Sequence, residues 1–79
     1  MSYVYFLKLS NEDIYVGFTR SLKKRLESHR NGEVDSTKNL LPFTLKSYIY
    51  LETPEEAARL ERYFKSGSGK AFAMKRLCK

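Results

Sequence analysis

The sequence has little cysteine, proline or glycine and no tryptophan. Its 79 residues include one Cys, two Pro and four Gly. The single thiol, Cys78, cannot form an intramolecular disulfide, and with the only histidine, His29, it cannot complete a zinc site of Cys and His ligands. A reducing, cytoplasmic setting is therefore the default expectation. We also expect neither a leader nor a membrane span, because no apolar run approaches the ~20 residues that a span requires.

Aromatic residues and positive charge are abundant by contrast. Six Tyr and five Phe indicate a folded domain rather than a disordered tail. Fifteen Lys and Arg stand against nine Asp and Glu, which gives a net charge of +6. Such a balance favours a polyanionic partner such as nucleic acid, although solubility alone would also explain it. The length predicts a single domain over residues 1–79.

The first part of the chain predicts a β-hairpin followed by a helix. Residues 3–9 and 14–19 are rich in strand-forming side chains and are separated by turn-prone residues. An odd number of residues in the connecting loop would place Tyr5 on the same face as Tyr15 and Gly17. A helix is predicted over residues 21–30, with Thr19 or Ser21 as its N-cap.

The second part predicts a loop, a third strand and two further helices. Residues 33–42 have turn chemistry, residues 43–52 resemble a strand, and Thr53-Pro54-Glu55-Glu56 is a strong helix start. This helix is expected to end at Phe64 or Lys65. The segment Ser66-Gly67-Ser68-Gly69 is expected to break the chain before a short basic helix over residues 70–77. The predicted fold class is therefore α+β, in the order ββαβαα, with a small three-stranded, mostly antiparallel sheet flanked by helices.

Three polar side chains fall on helix faces where the fold would favour apolar ones. Arg25 and His29 share a predicted helix face with leucines, and Glu61 lies on the apolar stripe of the later helix. Each has a structural explanation of its own. Arg25 could extend its charged end to water, His29 could be a cation that stabilises a helix C-terminus, and Glu61 could pair with Lys65. Tyr5 and Tyr15 could equally be ordinary sheet residues.

The joint spacing of these residues resembles the GIY-YIG nuclease family over essentially the whole chain. The likeness rests on Tyr3-Val4-Tyr5, on residues 15–19 (YVGFT) followed by Leu22, Arg25 and His29, on residues 36–39 (STKN) before Pro42, and on residues 57–65 (AARLERYFK). It is strongest for the small stand-alone members, which share a core with the nuclease domain of UvrC. Tyr3 and Val4 depart from the family's Gly and Ile. Leu40 and Leu41 stand where basic residues are expected.

The resemblance assigns a role to each of five candidate catalytic residues. Tyr5 and Tyr15 match the tyrosines of the two family motifs, Arg25 the family arginine, His29 the histidine four residues later, and Glu61 the metal-binding glutamate. It implies hydrolysis of phosphodiester bonds in DNA with one Mg²⁺ or Mn²⁺ per active site, held by Glu61. Tyr5 would be the general base, oriented by Tyr15 or His29, and Arg25 would stabilise charge on the phosphate. Tyrosine has an ordinary pKa near ~10, so this role demands a lowered pKa.

Basic residues outside that cluster are candidate phosphate contacts, which would position nucleic acid without reading its sequence. They are Arg20, Lys23, Lys24, Arg30, Lys38, Lys65 and Lys70, with Lys75 and Arg76 near the C-terminus. Without a separate recognition domain, specificity would come from a targeting partner or a dimer, and we expect a monomer or weak dimer. The alternative is a nucleic-acid-binding module that has kept the fold without catalysis.

Overall fold

The structure is a computed structural model that describes residues 1–76. Its elements are β1 (Ser2–Lys8), β2 (Ile14–Thr19), α1 (Leu22–Arg30), β3 (Thr44–Leu51), α2 (Pro54–Lys65) and α3 (Gly67–Arg76). The predicted order ββαβαα is therefore confirmed. Among these residues no helix combines the length and the apolar character that a membrane span needs. The predicted helix end at residue 77 and the thiol of Cys78 lie outside the described residues.

The three strands form one antiparallel sheet in the order β2-β1-β3. Tyr5 is paired with Gly17 and Leu7 with Tyr15 across β1 and β2. The sequence left the loop parity open. The connecting segment, residues 9–13, has an odd number of residues, so Tyr5, Tyr15 and Gly17 share a face. This register places both candidate catalytic tyrosines on one side of the sheet.

Each face of the sheet is covered by different helices. On one face Leu26 of α1 packs with the buried side chains of Tyr5, Leu7 and Leu9. On the opposite face Ala57 and Phe64 of α2 and Ala73 of α3 pack against Val4, Phe6 and Val16. Because side chains alternate along a strand, Tyr5 points toward α1 while its neighbours point toward α2.

The helix ends follow local side-chain chemistry. Thr53 Oγ1 accepts a hydrogen bond from the Glu56 amide at 3.2 Å and donates one to the Glu56 carboxylate at 3.0 Å, so the predicted helix start is confirmed. The α1 helix ends before Gly32, whose φ of +71° suits glycine in this position. Its first residue is Leu22 and its N-cap is Ser21, one of the two expected residues, but the Ser21 side chain makes no capping hydrogen bond. Thr19 Oγ1 accepts a hydrogen bond from the Ser21 amide in the turn before the helix.

The break between the last two helices is shorter than we predicted. We expected residues 66–69 to separate them, but α3 begins at Gly67 and only Ser66 lies outside a helix. Ser66 Oγ accepts a hydrogen bond from the Gly69 amide at 3.3 Å, which caps α3. A Cβ at position 69 would collide with the Tyr63 carbonyl. Glycine here therefore permits close approach of α3 to the end of α2.

Candidate active site

Tyr5 lies at the centre of a hydrogen-bonded cluster between the sheet and α1. Its side chain is fully buried. The Tyr5 Oη atom lies 2.9 Å from Nε2 of His29, and the Arg25 Nε–H donates to the same oxygen at 3.3 Å. Arg25 and His29 are four residues apart and therefore project from the same side of α1. The structure thus brings together three of the five candidate catalytic residues in direct contact.

Thr37 completes the cluster from the loop before β3. It is fully buried, and its Oγ1 lies 2.8 Å from Nδ1 of His29. The Thr37 hydroxyl donates to the Val34 carbonyl, so it is free to accept from Nδ1–H of the imidazole. Nε2 of His29 is then the acceptor, and the Tyr5 hydroxyl is the donor to it. Residues 36–39 carried the family resemblance, but Thr37 received no role from the sequence because a long-range contact leaves no periodic signal.

Burial sets the protonation states of the tyrosine and the histidine. Removal from water, only partly offset by the Arg25 guanidinium, raises the pKa of Tyr5 to about 12. Burial, together with the nearby Arg25 charge, lowers the pKa of His29 to about 4. At neutral pH the pair is therefore a phenol and a neutral imidazole. The lowered Tyr5 pKa that the base role demanded is not supplied by the protein's own side chains.

These protonation states and contacts test the structural explanations offered for His29 and Arg25. His29 is buried and neutral, so the suggestion that it acts as a cation at the helix C-terminus is wrong. Arg25 is half-buried, and its hydrogen bond to Tyr5 raises the pKa of its guanidinium. Its charged end is thus directed into the cluster, rather than only to water.

Tyr15 and Gly17 form the β2 side of the site. Tyr15 is half-buried, and its ring centre lies 6.2 Å from that of Tyr5 and 5.2 Å from that of His29. Its hydroxyl also contributes to the raised pKa of Arg25. Gly17 is opposite Tyr5, and a Cβ there would lie 2.5 Å from the Tyr5 Oη atom. The glycine therefore leaves the space that the tyrosine hydroxyl occupies.

Glu61 lies on α2, and no described hydrogen bond or ion pair joins it to the other four candidates. Its carboxylate lies 3.5 Å from Nζ of Lys65, and its side chain is 20% exposed. The expected pair with Lys65 is thus present. The Glu61 charge contributes to the raised pKa of Tyr5, which places its electrostatic influence at the cluster. Within residues 1–76 no group of three or more His, Cys, Asp or Glu could hold a metal ion.

The donor set nevertheless suits one hard divalent cation. Mg²⁺ commonly keeps several waters and binds through one or two carboxylates and the substrate phosphates. Glu61 is a carboxylate that is largely shielded but still accessible, and Lys65 is its only ion-pair partner in the described part of the chain. It could therefore serve as the single protein ligand once Lys65 turns away.

The candidate phosphate contacts fall into two groups. Lys38 pairs with Asp35 at 3.5 Å, Lys65 with Glu61, and Lys70 with Asp13 at 3.1 Å. The Lys38–Asp35 and Lys70–Asp13 pairs are exposed and contribute little stability, so a phosphate can replace the acidic partner at small cost. In the other group, no described ion pair engages the four basic residues on or beside α1, which are Arg20, Lys23, Lys24 and Arg30. Lys75 and Arg76 are exposed in the last turn of α3.

Lys65 and Lys70 lie beside Tyr15, on the β2 side of the cluster. Together with Tyr15 they line a small depression of about 160 Å³ beside β2. It lies between the half-buried tyrosine and the basic side chains of α2 and α3. A phosphate seated there would be next to Tyr15 and within the field of Lys65 and Lys70.

This sheet, with two tyrosines, an arginine and a histidine gathered on one face, has the arrangement of a nuclease-type domain. The family model described as the GIY-YIG catalytic domain matches residues 1–76, and the chain belongs to that family. Membership implies a nuclease-type function with DNA as the substrate class. Nucleases of the family usually use divalent metal ions.

Similar proteins support the same assignment. A UPF0213 protein of Clostridium perfringens is 38% identical over 82% of this chain and 71% of its own length. A UPF0213 protein of Streptococcus pyogenes serotype M5 is 35% identical over 81% of this chain and 71% of its own length. The solution NMR structure of a UPF0213 protein from Bacillus halodurans has a TM-score of 0.60 and 29% identity, covering 95% of this chain and 84% of that one. The fold is thus shared with small proteins of the family.

Proposed function

We propose that this chain is a divalent-metal-dependent endonuclease that hydrolyses phosphodiester bonds in DNA, acting through a single domain over residues 1–79. The observation that carries the proposal is the buried cluster in which Tyr5 contacts both His29 and Arg25. A buried phenol and imidazole beside a half-buried guanidinium are an unusual set to gather for stability alone, because each requires a partner once removed from water. Such polar clusters are typical of catalytic sites.

Tyr5 acts as the general base with His29 as the acceptor of its proton. When the Tyr5 oxygen takes a proton from the attacking water, the phenol proton passes to Nε2 of His29 over the 2.9 Å hydrogen bond. The hydroxide attacks phosphorus, the bond to the leaving sugar oxygen breaks, and that oxygen takes a proton from solvent. His29, now an imidazolium, releases its extra proton to solvent, which restores the neutral imidazole beside the Tyr5 phenol. This transfer requires no tyrosinate before the reaction, so the raised pKa of Tyr5 does not prevent it.

Arg25 and Glu61 supply the charges that the reaction needs. Arg25 is held by Tyr5 and retains N–H groups that can bind the non-bridging phosphate oxygens as negative charge builds there. Glu61 is the residue that would hold Mg²⁺ or Mn²⁺. When bound, such a cation supplies Lewis-acid activation of the phosphate and stabilises the leaving oxygen. Lys65 and Lys70, beside Tyr15, neutralise the adjoining backbone phosphates.

Water must reach the Tyr5 hydroxyl, which is fully buried in the free protein. Tyr15 and Arg25 are its half-buried neighbours and are therefore the side chains that adjust when DNA binds. Tyr15 then orients the attacking water. Contacts in a free enzyme often become productive only in the substrate complex.

The second candidate is a nucleic-acid-binding module without catalysis. The strong positive charge of +6 is all that it requires. It does not explain why Tyr5, His29 and Thr37 form a continuous hydrogen-bonded chain. A binding module would need none of these buried polar side chains, so we favour the nuclease.

Cleavage of supercoiled plasmid tests the proposal. The wild-type protein, Glu61→Gln and Glu55→Gln are compared with Mg²⁺ or Mn²⁺ and with EDTA. Glu55 lies in the first turn of the same helix and is exposed, so its variant removes the same charge without touching the site. We expect metal-dependent nicking by the wild type and by Glu55→Gln and a loss of at least about a hundredfold in Glu61→Gln.

Binding measured in parallel separates the two candidates. If neither the wild type nor the variants cut plasmid, branched or single-stranded DNA, while all bind DNA equally, the binding module is the correct function. If Glu61→Gln cuts as fast as Glu55→Gln, the assignment of Glu61 as the metal ligand is wrong.

A further inference from the structure

A second groove lies on the other side of α1 from the reacting cluster. It encloses about 570 Å³ between the first part of α1 and the tyrosines of the β1–β3 side of the sheet. Its lining includes Tyr3, Tyr48, Arg20, Lys23 and Arg30. None of its lining residues is acidic. The groove therefore combines aromatic and apolar surface, the latter from Leu22 and Leu26, with charged groups that are all positive.

The groove is separated from the catalytic cluster by the apolar side of the helix. At 100° per residue, Leu22 and Leu26 lie between Arg25 and His29 on one flank and Lys23 and Arg30 on the other. Leu26 is buried against the sheet, and both leucines pack in the core on this face. A ligand in the groove therefore cannot be the phosphate that contacts Arg25.

Three tyrosines form an exposed aromatic cluster at this end of the sheet. Tyr48 and Tyr50 of β3 are 54% and 50% exposed. The ring of Tyr3 meets both edge-on, with centres 6.0 Å from Tyr48 and 5.6 Å from Tyr50. Such contacts restrict the rings without covering their outer surfaces. Tyr48 and Tyr50 belong to neither hydrophobic core cluster. They lie on β3, which is an edge strand of the sheet.

The cations of the groove have no acidic partners among the described residues. The Arg30 guanidinium is held 5.6 Å from the centre of the Phe43 ring, which fixes its position near the groove. Lys23 and Arg20 come from the beginning of α1 and the residues before it. Three cations without acidic partners in residues 1–76, beside open aromatic rings, match an anionic ligand that also carries flat rings.

We propose that this groove binds unpaired nucleotides of a DNA substrate, whose bases stack on Tyr48 in the groove and on the adjoining Tyr50 while their phosphates contact Arg20, Lys23 and Arg30. Stacking on tyrosine requires a free base face, and within a duplex each base is already stacked on its neighbours. Aromatic platforms beside a positive groove are the combination that binds single strands without sequence preference. The choice of DNA rests on the proposed function, and the site would direct cleavage to DNA with a single-stranded segment.

Binding to labelled oligonucleotides tests the groove without relying on cleavage. Fluorescence anisotropy in EDTA compares a single-stranded 15-mer of thymidine, a duplex of equal length and a 15-unit abasic strand that keeps the phosphates but has no bases. The variants are Tyr48→Ala and Tyr50→Ala, with Tyr63→Ala as the matched control. Tyr63 is 48% exposed on α2, which packs on the opposite face of the sheet from the groove.

We expect Tyr48→Ala to weaken binding of the thymidine strand about tenfold and to change binding of the duplex and the abasic strand less than about twofold. Tyr50→Ala should act in the same direction, and Tyr63→Ala should have no effect. Lys23→Ala should weaken binding of all three probes. It should also make the slope of log affinity against log salt shallower by about 0.7 for each phosphate that it no longer neutralises on the single strand. Equal effects of Tyr48→Ala on the strand with bases and on the abasic strand would overturn stacking.

Two further results separate base stacking from self-association of the chain and from the nuclease activity. If Tyr48→Ala leaves all oligonucleotide binding unchanged but abolishes a concentration-dependent dimer in sedimentation, the face contacts a second copy of the chain and the proposal is wrong. If the base-dependent effect is observed while no DNA is ever cut, the groove assignment stands and the nuclease proposal fails. The reverse pattern, metal-dependent cutting with no base-dependent effect, rejects only the groove.

Discussion

The Tyr5 hydroxyl donates a hydrogen bond to Nε2 of His29, and the two atoms lie 2.9 Å apart in a buried environment. The direction of this bond is set by Thr37, which accepts from the opposite ring nitrogen. The Tyr5 phenol thus already contacts a proton acceptor, Nε2 of His29, in the free protein. This relationship links a strand, a helix and a loop.

Replacing Thr37 with Val should disturb the histidine tautomer. The variant keeps the shape of the side chain but removes the oxygen that accepts from Nδ1–H, so the imidazole loses the contact that selects Nε2 as acceptor. We expect plasmid nicking to fall about tenfold, the effect of removing one hydrogen bond. Thr37→Ser, which restores the hydroxyl, should recover most of the rate.

Nitrogen-15 NMR gives a readout that a purely structural role would not change. His29 is the only histidine in the chain, so its two ring nitrogens are assigned without ambiguity. The wild type should show protonated Nδ1 and unprotonated Nε2, and Thr37→Val should show a mixture of tautomers. A wild-type spectrum with the proton on Nε2 would contradict the proposed direction of the Tyr5 bond.

The low pKa of His29 predicts a loss of stability in mild acid. The folded pKa is about 4, against an ordinary value of 6.5. Below pH 6.5 the unfolded chain gains a proton that the folded chain does not bind, so the free energy of unfolding falls until the pH reaches about 4. The full shift corresponds to ~3 kcal/mol. The difference between wild type and His29→Gln in urea unfolding, measured from pH 7 to pH 4, should show this fall.

The comparison with His29→Gln is needed because carboxylates also titrate in that range. If the two proteins lose stability in parallel, the acid sensitivity comes from those other groups. Direct titration of the His29 ring protons should then give a midpoint near 6.5, and the assignment of a neutral buried imidazole would be wrong.

The sequence predicted the sheet and most of the reacting cluster because their signals are periodic. The spacing of four residues placed Arg25 and His29 on one side of a helix, whereas the shared face of Tyr5, Tyr15 and Gly17 depended on a loop parity that the sequence left open. Thr37 and the tyrosines of β3 were missed as functional candidates. Their roles depend on contacts with residues distant in sequence, and no local pattern encodes those contacts.

The start of α3 was mispredicted for a different reason. Two glycines and two serines in four residues are typical of a break, and the sequence alone does not show that Gly69 lies against the Tyr63 carbonyl. The tertiary requirement for a residue without a side chain outweighed the low helix propensity of glycine. The pKa of Tyr5 was likewise expected to be low for its role, but the depth of its burial cannot be read from the sequence.

Gly17→Ala should damage the site by displacing Tyr5. The added Cβ would lie 2.5 Å from the Tyr5 Oη atom and 2.6 Å from Cζ, so the ring must move away from His29 and Arg25. We expect a cost of about 1–3 kcal/mol in stability and a larger relative loss of nicking. Gly67→Ala is the matched control, because a Cβ there meets nothing within 4 Å.

The control should be neutral or slightly stabilising, since alanine reduces the freedom of the unfolded chain at the start of α3. Circular dichroism and thermal unfolding establish that both variants are folded before cleavage is compared. A Gly17→Ala protein that cuts DNA at the wild-type rate would show that the position of the Tyr5 hydroxyl is not important for the reaction.

Removing each tyrosine hydroxyl in turn should show which of Tyr5 and Tyr15 is the general base. Tyr5→Phe removes the oxygen that contacts both His29 and Arg25, so we expect the nicking rate to fall at least about a hundredfold. Tyr15→Phe leaves that hydrogen-bonded chain intact and should lower the rate only about tenfold. A larger loss in Tyr15→Phe would instead identify the half-buried tyrosine as the base. Both rates are measured with saturating metal on the same plasmid.

The pH dependence of nicking tests how Tyr5 acts. Transfer of its proton to a neutral His29 predicts a rate that changes little between about pH 6 and pH 9, because His29 becomes protonated only near pH 4 and Tyr5 ionises only near pH 12. A reaction that requires tyrosinate would instead rise about tenfold per pH unit throughout that range, since the ionised fraction rises in that proportion. A tenfold rise per unit that disappears in Tyr5→Phe would establish the tyrosinate and exclude the transfer to His29.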